Sequence, residues 1–119
     1  MTVARRATYD SSRLPYWVLQ IVTSICADYE RRAAALREGK LDYEDVCEDA
    51  ILARYGELNS AVDRALEEVE VGIRRDMLCD VALGRGYRRS AAQYVLSKNA
   101  YYRRRHKLMH DIARELRLI

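Results

Sequence analysis

The chain has little that interrupts a helix. Its 119 residues include one proline and five glycines. Pro15 fits the first turn of a helix, where a missing N–H costs nothing. With few breakers and abundant Ala, Leu, Arg and Glu, the expected fold class is all-α. Phenylalanine is absent, and aromatic bulk comes from nine tyrosines and one tryptophan. Tyrosines at helical spacing are read as core or interface residues rather than cofactor contacts.

Other absences narrow the function. No run reaches the roughly 18 apolar residues of a membrane span, because Gln20, Thr23 and Ser24 cut the apolar patch Trp17–Ile25. No apolar signal segment follows Arg5 and Arg6, so a cytoplasmic location is expected. Cys26, Cys47 and Cys79 are widely spaced and odd in number, which fits free buried thiols in a reducing compartment. There is no Gly-rich phosphate loop. His106 and His110 are four residues apart on one basic segment and lack a third ligand nearby. Neither a metal, a cofactor nor an enzymatic activity is expected.

The charge distribution is more informative. Arg85–Ile119 holds ten Lys/Arg against two acids, a formal +8. The whole chain is +3, so residues 1–84 carry −5. A basic end on an acidic body points to a polyanionic partner.

Residues 1–13 show no periodicity and are expected to be a flexible arm. A first helix should run from about Pro15 to Glu38, with Leu14, Val18, Ile21, Val22, Ile25, Tyr29, Ala33 and Leu36 on one stripe and Gly39 as the stop. Asp42 should cap a second helix with Glu44 and Asp45 in its first turn. Cys47, Ile51, Tyr55, Leu58, Val62, Leu66 and Val69 form its stripe. The short connection makes residues 14–68 a helical hairpin, and its uncovered apolar stripe predicts a homodimer. Glu67, Glu68 and Glu70 read as a solvated acidic face. Gly72 marks either a weak point in a long helix or the start of a new one. A third helix with Ile73, Met77, Leu78, Val81 and Ala82 on one side should end at Gly84-Arg85-Gly86.

Beyond that stop the spacing predicts a short helix over 88–94, a tight turn, and a long helix capped by Ser97. Tyr101, Leu108, Ile112 and Leu116 are its apolar positions. The order is that of a helix-turn-helix, so residues 69–119 are expected to form a three-helix DNA-binding head. The opposite face presents Lys98, Asn99, Tyr102, Arg103, His106 and His110. Asn and Arg side chains suit bidentate contact with base edges, and the first five of these residues are the candidate base contacts. Arg88, Arg89, Arg104, Arg105 and Lys107 are the candidate phosphate contacts.

Several of these segments resemble the RinA/ArpU group, small phage and prophage transcriptional regulators of Gram-positive bacteria. The resemblance lies in Ala65–Leu83, in Ser97-Lys98-Asn99-Ala100-Tyr101-Tyr102-Arg103-Arg104-Arg105, and in the ending Ile112-Ala113-Arg114-Glu115-Leu116. It covers roughly residues 61–119. Pro15-Tyr16-Trp17 is similar to phage-associated members as well. Where the family usually has Pro-Glu-Glu, this chain reads Val69-Glu70-Val71-Gly72. The resemblance implies a head similar to region 4 of bacterial sigma factors and promoter binding within a bacterial host. Two alternatives remain open at this point. One is a DNA-packaging protein like a small terminase subunit, which would form rings. The other is a sigma-like adaptor whose acidic body docks on RNA polymerase.

Overall fold

The computed structural model describes residues 13–41 and 48–119. The expected arm at 1–13, save Arg13, and the expected cap at Asp42 with Glu44 and Asp45 lie outside these residues. The fold is all-α. Five α-helices occur among the described residues: α1 Tyr16–Ala27, α2 Tyr29–Glu38, α3 Glu48–Leu66, α4 Arg74–Leu83 and α5 Lys98–Glu115. None is long and apolar enough to cross a membrane.

α1 starts directly after Pro15, its N-cap, whose carbonyl accepts the Leu19 N–H at 3.0 Å. Val18, Val22, Ile25 and Cys26 recur at helical spacing and are buried. The first helix is not one piece, however. The chain leaves helical geometry at Asp28 (φ −99°, ψ 6°) and resumes at Tyr29. Asp side chains compete with the helical backbone for local partners, and the Asp28 carboxylate binds Arg31 one turn on. Beyond Asp28 the buried side differs from the expected stripe. Arg32 and Ala35 are buried, while Leu36 is exposed.

The α2–α3 contact therefore has a polar centre. Arg32 Nε donates to Asn59 Oδ1 at 2.7 Å, and its Nη2 donates to the Ile25 carbonyl. Asn59 Nδ2 donates to the Tyr29 carbonyl at 3.2 Å. Tyr29 donates to Asp63 Oδ1 at 2.5 Å. Burial pulls the Arg32 pKa below its ordinary value, with the Asp28 charge acting against that pull. A buried guanidinium is tolerable only when its donors are engaged, as two of them are here.

The Gly39 stop is observed: Gly39 takes the left-handed conformation (φ 70°) and its N–H donates to the Ala35 carbonyl. Beyond α3, a 3₁₀ turn at Val71–Ile73 leads into α4, so Gly72 lies in a break between two helices. Gly84 (φ 68°) ends α4 in the same way, and the Arg85 N–H donates back to the Asp80 carbonyl at 2.8 Å.

One core crosses the junction at 68/69. It runs from Leu14, Val18 and Val22 through Val62, Val69, Ile73 and Met77 to Tyr101, Leu108 and Ile112. α1 packs against α4 and α5, α2 against α3, and α3 against α5. Within this core lies Asp80, with no solvent exposure. Its Oδ2 accepts from the Tyr101 hydroxyl at 2.9 Å and its Oδ1 from Arg85 Nε at 3.1 Å. Removing the acceptor leaves the buried Tyr101 hydroxyl without it and frees Arg85, which is partly exposed. Asp80→Ala should lower unfolding free energy by about 2–3 kcal/mol in urea titration; a change near zero would show that Tyr101 and Arg85 find other partners.

Candidate nucleic-acid interface

The segment from Gly84 to Ser97 sets the outward face of α5. The short helix expected at 88–94 is instead two 3₁₀ turns, Tyr87–Arg89 and Ala91–Tyr94. Ser90 causes the division. Its backbone is extended (φ −88°, ψ 139°), it is buried, and its Oγ accepts the Ala92 N–H at 3.0 Å. Ser90, inside the expected short helix, acts here as a cap. Ser97 caps α5 as expected, accepting the Ala100 N–H at 3.3 Å.

Tyr87 ties this loop together. Its hydroxyl donates to the Leu96 carbonyl at 2.9 Å, with the Gln93 carbonyl at 3.4 Å. Its ring meets Tyr101 edge-on at 5.4 Å, and Tyr101 meets Tyr102 edge-on at 5.0 Å. The Tyr87 N–H donates to the Tyr102 hydroxyl at 3.2 Å. A Cβ at Gly86 would lie 3.2 Å from that hydroxyl, so the missing side chain permits the close approach.

The seven candidate cations, Arg88, Arg89, Lys98, Arg103, Arg104, Arg105 and Lys107, divide into two groups. Arg88, Arg89, Lys98 and Arg103 are exposed and make no ion pair among the described residues. Asn99 and His106 are also exposed on α5. The others are engaged. Arg104 Nε binds Glu70 Oε1 at 2.6 Å, and Lys107 binds Asp111 at 2.8 Å. Arg105 donates to the Arg85 carbonyl, and to the Tyr101 hydroxyl at 2.8 Å. Its guanidinium carbon sits 5.9 Å from the centre of the Tyr101 ring. Arg105 is thus a fold residue rather than a free phosphate contact. Tyr102 keeps an exposed ring, but its hydroxyl is committed to the loop. Glu67 and Glu68 are exposed as expected; Glu70 is not simply solvated but pairs with Arg104.

His106 and His110 have ring centres 6.2 Å apart, and Arg114 Nη2 lies 3.2 Å from His110 Nδ1. Partial burial, then Arg114, lowers the His110 pKa. Among the described residues no group of three His, Cys, Asp or Glu side chains is placed to hold a metal. Cys26 is buried, and burial pushes its thiol up to about 12, which leaves it a neutral core side chain.

Two residues central to this arrangement were not singled out from sequence: Asp80 and Arg32. Asp80 lies three residues after Met77 and one before Val81, on an apolar stripe. Arg32 lies seven after Ile25, again on the buried side. A charge inside a hydrophobic stripe was the available signal in both cases.

No family model, curated protein or solved structure matches the chain.

Neighbouring arginines on α5 should behave differently. Arg105→Ala should cost roughly 1–3 kcal/mol of stability, because the Arg85 carbonyl and Tyr101 hydroxyl lose their donor. Arg103→Ala should stay within about 0.5 kcal/mol of the parent protein. Thermal and urea unfolding of the two variants compares them directly, and equal effects would remove the distinction.

Proposed function

We propose that this chain binds double-stranded DNA through the loop at 87–97 and the outer face of α5, as a phage or prophage transcriptional regulator. One observation carries the reading. Among the cations of residues 84–107, those with neither an ion pair nor a side-chain hydrogen bond, Arg88, Arg89, Lys98 and Arg103, belong to the loop and the first half of one helix. Residues 81–110 contain no Asp or Glu. Unpaired cations on a rigid surface suit phosphates, and exposed Asn99 and Arg103 on the same helix suit base edges. The resemblance of the 97–105 segment to phage regulators supplies the regulatory part of the proposal.

The proposed second partner is another copy of the chain. α1 contains no charged residue, although a third of the protein is charged. Tyr16, Trp17 and Ile21 are exposed on it. Trp17, Gln20, Ile21 and Ser24 border a shallow groove of about 500 Å³ that reaches Ile25, Asp28 and Arg32. An uncharged face can meet its own copy across a two-fold axis without like-charge repulsion, and a large aromatic beside a groove is a suitable anchor.

Fluorescence anisotropy on labelled duplexes across a salt series tests DNA binding. With three phosphate contacts per chain, from Arg88, Arg89 and Lys98, the slope of log K against log salt should be about −2.7 for each bound chain. Arg88→Ala should weaken all sequences alike and reduce the slope by about 1. Arg103→Ala should cost roughly 1–3 kcal/mol and relax discrimination between sequences. Absence of binding to any duplex in a random pool at low salt would overturn the reading. Sedimentation velocity should show a dimer that Ile21→Asp converts to a folded monomer. A monomeric parent protein at micromolar concentration would refute the proposed self-association.

A further inference from the structure

We infer that Tyr94 is a base-stacking residue, so that the same surface takes DNA carrying an unpaired base in preference to an unbroken duplex. The inference rests on the DNA-binding reading above and deepens it. Tyr94 is 85% exposed, more than any other large hydrophobic residue described, and Val95 beside it is 61% exposed. The Tyr94 side chain makes no hydrogen bond or ring contact among the described residues. Nothing in the fold accounts for an aromatic ring in that position.

The ring stands on a fixed support. Gln93 Nε2 donates to the Arg88 carbonyl at 3.2 Å, which joins the residue before Tyr94 to the preceding 3₁₀ turn. The Tyr87 hydroxyl holds the Leu96 carbonyl just beyond it. The Val95 and Leu96 N–H groups both return to the Ala92 carbonyl, at 3.0 and 2.8 Å. Tyr94 is therefore carried at the tip of a turn braced from both sides, with little ordering left to complete on binding.

The surroundings select the occupant. Arg88 and Arg89 precede the ring in the loop, and Lys98 follows it in the first turn of α5. All three are exposed and without acidic partners among the described residues. An aromatic ring among unpaired cations is complementary to a nucleobase flanked by phosphates. Base–aromatic stacking tolerates any base, because each presents a π-face. Within an intact duplex those faces are covered by neighbouring pairs. The ligand for Tyr94 is a base outside the stack, at a bulge, a mismatch or a locally opened step, where the energy of unstacking has already been supplied.

The test compares the full-length chain on two duplexes of the same sequence, one fully paired and one carrying 2-aminopurine as a single-nucleotide bulge. The parent protein should bind the bulged duplex about tenfold more tightly and quench 2-aminopurine fluorescence. Tyr94→Ala should lose that preference and the quenching while keeping its affinity for the paired duplex. Tyr94→Phe should retain both, and Lys98→Ala should weaken the two duplexes alike. Tyr94 is almost fully exposed, so its removal should leave the thermal melt unchanged. If the parent shows no preference, or Tyr94→Ala preserves it, the stacking role is refuted while duplex binding stands. If neither duplex binds at low salt, the DNA-binding reading fails and the stacking role fails with it.

Discussion

A single carboxylate without solvent contact connects the two halves of the basic end. Asp80 sits on α4, yet both its partners come from beyond the Gly84 stop: Arg85 at the start of the loop and Tyr101 on α5. Burying a carboxylate is unfavourable unless its lone pairs are engaged. This places the loop and helix in one arrangement relative to α4, since sliding α5 would break the Tyr101 bond. Arg105 extends the network from the other side, binding the Tyr101 hydroxyl and the Arg85 carbonyl. The outward direction of Asn99 and Arg103 follows from this inward anchor, because side chains two positions from Tyr101 lie on the far side of the helix; Lys98, at the helix start, is exposed as well.

The distribution of acids has a comparable effect on the cations. Ten basic residues on the last stretch would repel one another if all were unpaired. Glu70 reaches Arg104 from the segment before α4, Asp111 takes Lys107 within α5, and Arg64 on α3 takes Glu115. These pairs are partly exposed and individually modest. Their result is spatial: Arg104 and Lys107 on the middle of α5 are paired, while Arg88, Arg89, Lys98 and Arg103 around its start are not.

Helical periodicity made most of the architecture legible. The stripes containing Val18 and Val22, Val62 and Val69, and Leu108 and Ile112 are buried as their spacing implies, and Gly39, Gly84 and Ser97 end or begin helices where their chemistry favours it. Local side-chain chemistry explains what periodicity missed. Asp28 interrupts an otherwise continuous apolar pattern, and Ser90 caps a turn within an expected short helix. The candidate surface was visible as a run of charge, but its division into engaged and unpaired cations was not. That division depends on Glu70, 34 residues from Arg104, and on the Asp80 carboxylate, 21 residues from Tyr101. Sequence patterning carries little information about such long-range polar contacts.

The shared core of α1 has a mechanical consequence. Val18 and Val22 lie in the same hydrophobic cluster as α4 and α5, while Trp17 and Ile21 of the same two turns face outward. A ligand gripping the outer side of this short rod would grip the basic end as well, with no tether between them to absorb misalignment. Two chains joined there would behave as a caliper of fixed span, closing on targets at one separation and straining against any other.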